Sequence, residues 1–325
     1  MYTSSPAIKK LGKPVLTRHD IPYQSALVFN AGVCKFKGKY VMTFRNDFGD
    51  FEKRKLVGTN IGLAYSDDGI NWDVQPDPFF AVKTDEIDRV YDPRLTVMDD
   101  KCYITFACDT KHGLRGGVGV TEDFKNVEII SLSAPDNRNM VLFPEKINGN
   151  YVMLERPMPV YSRWHRDRFD MWICESPDLI YWGKHELLAA VEDIPFANDK
   201  IGPAAPPVKT DKGWLTTFHA VELFPDRGKN GWEEKWQKSY YAGIMLLDKD
   251  NPGKILGIHD KPLIVDEEDY ERENGFRLDA VFPGGMILED DGEVKIYYGA
   301  SDTVQCMATA KADELVKLCL ESGIK

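Results

Sequence analysis

The sequence predicts an all-β fold, a five-bladed β-propeller with a short C-terminal helix, and three observations support this prediction. One short phrase recurs five times: a turn rich in Gly, Asp, Asn or Lys, followed by an aromatic or β-branched strand. This phrase is a β-hairpin signature. A second strand ending in a polar turn follows each copy, and only one segment has a helical pattern. Repetition of a strand unit at intervals of tens of residues is typical of a propeller, in which each repeat forms one blade.

The five hairpin phrases define the blades in chain order. They are KFKGKYVMTF ending at Phe44, MDDKCYITF ending at Phe106, KINGNYVMLE ending at Glu155, KTDKGWLTTF ending at Phe218 and LEDDGEVKIYY ending at Tyr298. The strands that follow them are GLAYSDDGINW, GVGVTEDFKN, MWICESPDLIYW, AGIMLLDKDNP and CMATAKADEL. Uneven spacing between the copies indicates loops inserted on individual blades, so we expect residues 1–325 to form a single propeller domain.

Three polar insertions and one helix complete the predicted architecture. The insertions are Asp47–Asn60, Met158–Asp170 and Leu223–Lys238. Loops of this length are usually either functional or disordered. The closing segment ADELVKLCLES is predicted to be helical, with apolar residues at Leu315, Val316, Leu318 and Leu320.

Composition excludes several classes of protein. A hydrophobic share of 43% with 29% charged residues is typical of a globular chain, and no apolar run approaches the roughly 18 residues of a membrane helix. The net charge of −11 argues against a nucleic-acid or anionic-membrane partner. The N-terminal residues lack a secretory pattern, so a cytoplasmic location is expected. The six cysteines and six histidines show no metal-binding or disulfide spacing, so we expect no metal.

Polar residues recur where each hairpin begins or ends, which is where the strands of a propeller converge on the central channel. They are Asn30, Arg45, Asp92, Arg94, Arg138, Asn139, Lys146, Arg156, Lys200, His219, Asp279 and Asp302. Two arginines, a lysine and a histidine at one mouth would bind an anion such as phosphate. A carboxylic acid at Asp92 could donate a proton to a leaving oxygen, and an acid beside bound phosphate suggests phosphorolysis.

Each residue also has an ordinary structural interpretation. Asp92 precedes a proline and would suit a turn. Arg138 and Arg156 would also serve as surface residues or as partners of neighbouring glutamates, and His219 as a buried histidine of the core. Tyr240 and Phe282 would pack in the core by default. The functional interpretation therefore depends on the coincidence of equivalent positions in all five blades.

Five ordered segments resemble glycoside hydrolase family 130. They are VYDPR (Val90–Arg94), NMVLFPEKINGNYVMLERP (Asn139–Pro157), KIGPAAPPVKTDKGWLTTFHAV (Lys200–Val221), YYAGIMLLDKDNP (Tyr240–Pro252) and FPGGMILEDDGEVKIYYGASDTV (Phe282–Val304). The resemblance implies a five-bladed propeller and, for most members, inverting phosphorolysis of β-mannosides to α-mannose 1-phosphate. It implies inorganic phosphate as co-substrate, no cofactor, and Asp92 as a general acid that relays its proton through the mannosyl 3-hydroxyl.

The resemblance also implies roles for the other candidates. Arg138, Arg156, His219 and Tyr240 match phosphate ligands, with Tyr241 competing for the last role. Asn30, Arg45, Lys200 and Asp302 resemble groups that hold the mannosyl unit. The leaving sugar would meet the loops Asp47–Asn60 and Tyr161–Arg168, where Trp164, His165 and Arg168 are candidate contacts or solvated loop residues.

Several alternatives stay open from the sequence. The linkage is β-1,4 or β-1,2, and the leaving sugar is glucose, mannose or N-acetylglucosamine. A β-mannoside hydrolase on the same scaffold and a non-catalytic glycan-binding propeller are the rival functions. The segment GWEEKWQKSYY is suited to docking a second copy, so a homo-oligomer is compatible with the sequence.

Overall fold

Five antiparallel sheets surround a central channel in the computed structural model, which describes residues 2–158 and 169–324. The first strand, β1 (Lys9–Lys10), belongs to the last blade. Blade 1 contains β2 (Leu27–Phe36), β3 (Lys39–Asp50), β4 (Lys55–Ser66) and β5 (Asp73–Val74). Blade 2 contains β6 (Ile87–Met98), β7 (Lys101–Thr110), β8 (Gly113–Thr121) and β9 (Glu128–Leu132).

The remaining blades follow the same order. Blade 3 contains β10 (Asn137–Leu142), β11 (Tyr151–Pro157), β12 (Met171–Ser176) and β13 (Gly183–Ala189). Blade 4 contains β14 (Lys200–Pro203), β15 (Val208–Thr210), β16 (Gly213–Leu223), β17 (Lys238–Leu247) and β18 (Ile255–Ile258). Blade 5 contains β19 (Val281–Leu288), β20 (Glu293–Ala300), β21 (Val304–Lys311) and β1. The predicted five-bladed propeller is confirmed.

The hairpin turns explain why the repeated phrase is so easily recognised. Between β2 and β3, Lys37 and Gly38 have φ values of 48° and 81°, and between β6 and β7, Asp99 and Asp100 have values of 50° and 60°. Positive φ at both central residues is the two-residue turn whose twist matches the flanking strands. The local turn chemistry therefore fixes the register of these hairpins.

The ring is closed by the N-terminal strand. β1 pairs antiparallel with β21, with Lys9 opposite Thr309 and Lys10 opposite Ala308. The Lys10 Nζ lies 2.7 Å from Glu271 Oε2, and the Glu271 side chain is buried. The last blade is thus completed by residues from the opposite end of the sequence.

Three of the strands that line the channel carry a bulge at the same place. The register of β2, β6 and β10 shifts beside Asn30, Asp92 and Asn139, whose φ values are 51°, 53° and 57°. A bulge re-aims the side chain at that point and is common beside functional sites. Glycines permit the close approach of these strands, because a Cβ on Gly32 would lie 2.8 Å from the Pro93 carbonyl oxygen.

The closing helix is present as predicted, and one of its faces is buried. A one-turn helix, α1 (Asp269–Arg272), precedes β19, and helix α2 (Ala312–Glu321) buries Ala312, Leu315, Val316 and Cys319. Leu320 is 49% exposed. The buried positions follow the spacing i, i+3, i+4, i+7 of one helix face, and Leu320 lies outside that face.

Two of the predicted insertions form arms above the channel. The first is an extension of β3 and β4 that runs beyond the sheet, so Asp47–Asn60 is largely a regular hairpin. The second joins β16 to β17. Phe51 and Trp232, one from each arm, contact edge to face with ring centroids 5.2 Å apart. No helix among the described residues is long and apolar enough to cross a membrane.

Candidate active site

The central channel opens into a chamber of about 230 Å³ at the ends of the bulged strands. Six of the nine predicted site residues line it: Asn30, Arg45, Asp92, Arg138, Tyr240 and Asp302. Their convergence follows from strand register. In blades 1, 3 and 4, the second strand carries a polar residue where it pairs with the first strand just before the bulge, or at the corresponding place in blade 4. These residues are Arg45 opposite Phe29, Arg156 opposite Arg138, and His219 opposite Gly202.

Asp92 is a buried carboxylate surrounded by hydrogen-bond donors and positive charge. Its Oδ1 accepts from Asn30 Nδ2 at 3.0 Å and from Arg45 Nη1 at 3.4 Å. Burial raises the pKa of the Asp92 carboxyl, but Arg45, Arg94 and Arg138 outweigh burial, and the net pKa lies below its ordinary value. Asp92 is therefore ionised at neutral pH in the absence of other charges.

A second group of charges forms the wall beside Asp92. Arg45 is held by Asp47, with Nε–Oδ1 and Nη2–Oδ2 distances of 2.9 and 2.7 Å. Asp302 Oδ2 lies 3.3 Å from Arg277 Nη1. Burial raises the pKa of Asp302 above its ordinary value, while Arg277 and Arg45 oppose that rise. This wall offers both donors and acceptors, which is the combination that sugar hydroxyls need.

The opposite side of the site is cationic and unsatisfied. The Nε atoms of Arg138 and Arg156 are buried without a hydrogen-bond partner among the described residues. Burial, and then the neighbouring Arg138, lower the pKa of Arg156 to about 9. A buried guanidinium without a counter-charge is costly, and an anion bound here would remove that cost.

His219 has a defined tautomer in this arrangement. Arg156 Nη1 lies 2.9 Å from His219 Nε2, and arginine can only donate, so Nε2 accepts and the ring proton lies on Nδ1. Burial, and then Arg156, hold the pKa of His219 well below its ordinary range. The Nδ1 atom is buried without a partner in the described part of the chain. His219 is thus a neutral ring with an unused N–H donor.

Lys200 lies beside this cationic side. Its Nζ is 3.6 Å from Asp199 Oδ2 and 5.8 Å from the centre of the Tyr240 ring. Burial, and then Arg156 and Lys238, lower the pKa of Lys200 to about 6. The sequence resemblance grouped Lys200 with the mannosyl contacts, whereas the fold brings it to the neighbourhood of Arg156 and Tyr240.

The two adjacent tyrosines point to different surroundings. Tyr240 lines the chamber and stacks between His219 and Trp236, at centroid distances of 6.1 and 5.7 Å. Tyr241 donates to Glu222 at 3.0 Å and packs against Tyr2. Of the two tyrosines that the sequence left as alternatives, Tyr240 is the one that lines the chamber.

Other residues around the site carried no assigned role in the sequence analysis. Arg89, Trp236 and Arg277 line the chamber. Asn139, at the third bulge, keeps both amide atoms buried and unpartnered among the described residues. Arg94 lies beneath the site and donates to the Ala204 carbonyl at 2.6 Å, across the ring from blade 2 to blade 4. The equivalence of Asn139 with Asn30 and Asp92 was the available signal for that residue.

Some of the predictions concern other parts of the chain. Trp164, His165 and Arg168, the candidate contacts of the leaving sugar, lie outside the described residues. One cluster of potential metal ligands occurs among the described residues, formed by Glu155, Cys174 and His185 within 4.8 Å of one another. Glu155 there accepts from Asn137 at 2.6 Å and contacts His185 Nδ1 at 2.5 Å. These hydrogen bonds account for the buried carboxylate.

Comparisons with known proteins agree with this geometry. The model of glycoside hydrolase family 130, described as β-1,4-mannooligosaccharide phosphorylase, matches residues 7–321. The chain is 32% identical over 317 residues to a β-1,4-mannooligosaccharide phosphorylase of Ruminococcus albus, covering 93% of this chain and 88% of that protein. It is 31% identical over 309 residues to a β-1,2-mannobiose phosphorylase of Listeria innocua, covering 90% and 81%.

A solved structure shares the whole fold. The β-1,2-mannobiose phosphorylase of Listeria innocua in complex with β-1,2-mannobiose superposes with a TM-score of 0.81 at 25% identity, covering 96% of this chain and 99% of that one. The likeness therefore extends over all five blades and both sides of the chamber.

Proposed function

This chain belongs to glycoside hydrolase family 130, and from that premise we propose that it is an inverting phosphorylase of short β-mannosides. It transfers the terminal mannosyl unit to inorganic phosphate, giving α-mannose 1-phosphate and a shortened sugar. The observation that carries this proposal is the buried group of Arg138, Arg156 and the neutral His219 near Asp92, in which the Nε atoms of both arginines and the Nδ1 atom of His219 have no hydrogen-bond partner among the described residues. An ordinary inverting hydrolase instead needs a second carboxylate to activate water.

The residues divide into two groups around the reacting bond. Asn30, Arg45 and Asp302 hold the mannosyl hydroxyls on the side of Asp92. Arg138, Arg156, His219 and Tyr240 hold phosphate on the other side. We add Lys200 to the residues that hold phosphate, because it lies beside Tyr240 and because the nearby charge of Arg156 lowers its pKa.

The reaction follows from this division. A phosphate oxygen forms a bond to the anomeric carbon as the bond from that carbon to the glycosidic oxygen breaks, with inversion. The leaving oxygen receives a proton that originates on Asp92, relayed by the mannosyl 3-hydroxyl as in the family, and the proton released by phosphate restores the acid. Asp92 must therefore be protonated when phosphate is bound. A bound dianion favours this protonation, because its charge offsets the arginine charges that lower the pKa of Asp92.

The rival functions predict different products. A hydrolase on this scaffold would release free mannose at a rate independent of phosphate, and a binding module would give no product. The buried Arg138, Arg156 and His219 favour phosphorolysis because their Nε and Nδ1 atoms have no hydrogen-bond partner among the described residues, and phosphate oxygens would accept from all three. We also infer one catalytic domain over residues 1–325 with phosphate as co-substrate. The cytoplasmic location and the homo-oligomer remain predictions from the sequence.

The first test is product analysis with a matched pair of tyrosine variants. β-1,4- and β-1,2-mannobiose and mannosyl-glucose are incubated with and without phosphate, and α-mannose 1-phosphate is quantified by phosphorus NMR. Tyr240→Phe should raise the KM for phosphate about 10-fold or more, as expected for a lost hydrogen bond to a charged group. Tyr241→Phe should leave it unchanged. Free mannose without phosphate, or equal KM values in the two variants, would contradict the assignment.

A further inference from the structure

The second arm (residues 224–237), which joins β16 to β17, is attached at two separate points to the segment that leads into β19. At the first point, Asp279 Oδ2 accepts from Asn230 Nδ2 at 3.0 Å and lies 3.1 Å from Arg227 Nη1. The other carboxylate oxygen, Oδ1, lies 2.8 Å from Arg272 Nη1. Asp279 therefore ties the arm to the end of helix α1 through both of its oxygens.

The main chain of Asp279 holds Tyr240, which is proposed above to bind phosphate. The Asp279 carbonyl oxygen accepts from the Tyr240 N–H at 2.7 Å, and the Asp279 N–H donates to Asp266 Oδ2 at 2.8 Å. Asp279 has a φ of 58°, a conformation that few residue types adopt readily. Arg227 Nη1 also donates to the Lys238 carbonyl at 3.1 Å, close to Tyr240 in β17. This attachment thus sets the position of Tyr240 relative to the arm.

The second point of attachment leads to the mannosyl side of the chamber. Glu233 Oε1, on the arm, accepts from Arg277 Nε and Nη2 at 3.0 and 2.6 Å. The remaining nitrogen, Arg277 Nη1, lies 3.3 Å from Asp302 Oδ2. Arg277 therefore bridges the arm and a carboxylate that is proposed to hold mannosyl hydroxyls. Because a guanidinium presents its donors in a fixed plane, holding one edge of it orients the other edge toward Asp302.

The arm has a further bond to the same segment that neither carboxylate makes. Trp236 Nε1 donates to the Leu278 carbonyl at 3.0 Å. The side chains of Asp279 and Glu233 are 26% and 37% exposed, so water can solvate a neutral amide in either place. Neutralising one carboxylate should therefore shift the residues that it holds without unfolding the arm.

We propose that Asp279 is a positioning residue for phosphate and Glu233 a positioning residue for the mannosyl unit, each acting through its own attachment of the second arm. This proposal rests on the proposed function for the roles of Tyr240 and Asp302. Neither Asp279 nor Glu233 is among the described residues that line the chamber. An arm attached on both sides of the reacting bond aligns the two substrates with each other, and such alignment is a large part of catalysis in a displacement reaction.

The test measures the KM values for phosphate and for the mannoside in matched variants. Asp279→Asn keeps the shape of the side chain and its tolerance of positive φ. It should raise the KM for phosphate about 3- to 10-fold, the effect of about one lost hydrogen bond, and change the KM for the mannoside less than about 2-fold. Glu233→Gln should show the reverse pattern. Glu234→Gln is the control, because Glu234 pairs with Lys229 inside the arm, and it should change neither constant.

A variant on the other side of the first attachment checks the assignment. Arg227→Met leaves Asp279 in place and should also raise the KM for phosphate about 3- to 10-fold. Combining it with Asp279→Asn should add little, because both substitutions break the same contact. Equal rises of both constants in Asp279→Asn and Glu233→Gln would overturn the proposal, since the arm would then be a single structural support. Unchanged constants in both variants would overturn it as well.

Hydrogen exchange separates this proposal from the proposed function, because it needs neither substrate nor turnover. The Tyr240 amide should exchange about 3- to 10-fold faster in Asp279→Asn than in the wild type, and at the wild-type rate in Glu233→Gln. Unchanged exchange of this amide in Asp279→Asn would overturn the positioning role of Asp279. A wild type that makes no α-mannose 1-phosphate would refute the proposed function, and the exchange rates would still decide whether Asp279 positions Tyr240.

Discussion

The unpaired Arg156 leads to a counter-intuitive prediction: replacing it with methionine should stabilise the protein in the absence of phosphate. Arg156 is 1% exposed and has no carboxylate partner among the described residues. Methionine keeps most of the aliphatic stem and removes the charge. The same substitution should abolish the stabilisation that phosphate gives to the wild type.

The magnitude follows from the cost of holding this charge in the folded state. The fall in the pKa of Arg156 from 12.5 to about 9 corresponds to roughly 5 kcal/mol. Because the folded-state pKa is lowered, this cost is fully present at pH 7 and disappears only as the pH rises through 9 toward 12.5. The variant also leaves His219 Nε2 without its donor, which costs about 1–3 kcal/mol. The expected net gain is about 2–4 kcal/mol.

The assay is thermal or urea unfolding at pH 7 in phosphate-free buffer, repeated with saturating phosphate. Phosphate at about 100 times its Kd should stabilise the wild type by about 2.7 kcal/mol and the Arg156→Met variant hardly at all. Arg115→Met is the control, because Arg115 has a carboxylate partner in Glu86 and donates to the Ser133 carbonyl. It should destabilise the protein and leave the phosphate effect intact. An Arg156→Met variant less stable than the wild type without phosphate would refute the reasoning.

Two further predictions concern protonation and ring closure. Binding of sulfate, a dianion that does not titrate near neutral pH, should make the protein take up protons at pH 7.5, because the dianion favours the ammonium form of Lys200, whose pKa is about 6. Calorimetry in two buffers of different ionisation enthalpy measures the uptake, and an equal uptake in Lys200→Met would contradict this assignment. Lys10→Met should lower the unfolding free energy by about 3–5 kcal/mol, because it leaves the buried Glu271 without its counter-charge. The exposed Lys9→Met is the control, and an equal effect of both substitutions would refute the importance of the pair.

The sequence predicted those parts of the fold that short segments of the chain determine by themselves. The turns at Lys37–Gly38 and Asp99–Asp100 need positive φ at their central residues. Few residue types favour that conformation, so the turns can be recognised from the sequence. Because the hairpin phrase that contains such a turn recurs five times, the number of blades could be predicted. The two-residue strand β1 has no such pattern, because only its pairing with β21 defines it. The face of helix α2 likewise depends on what packs against it.

The candidate site shows the same difference between residues that a repeated pattern predicts and residues that depend on contacts between distant segments. Asn30, Arg45, Asp92, Arg138 and Asp302 converge because they occupy related positions in a repeated unit, and a repeated unit is visible in the sequence. The neighbourhood of Lys200 was not predictable, since it depends on how Asp199, Tyr240 and Arg156 from separate strands come together. Arg277 and Trp236 belong to segments outside the repeat, so no equivalent position in another blade pointed to them.

Closure of the ring by β1 has a consequence for the order in which the protein folds during its synthesis. Lys9 leaves the ribosome about 300 residues before its partner Thr309, and such distant pairing makes closure a late and slow event. Until then the edge of β21 is an unpaired strand edge, open to pairing with other chains. Blades 1–4 can form as they emerge, whereas strand β1 stays unpaired until β21 of the last blade has been made. A bulky fusion ahead of residue 9 should therefore impair yield more than it impairs the activity of the molecules that do fold.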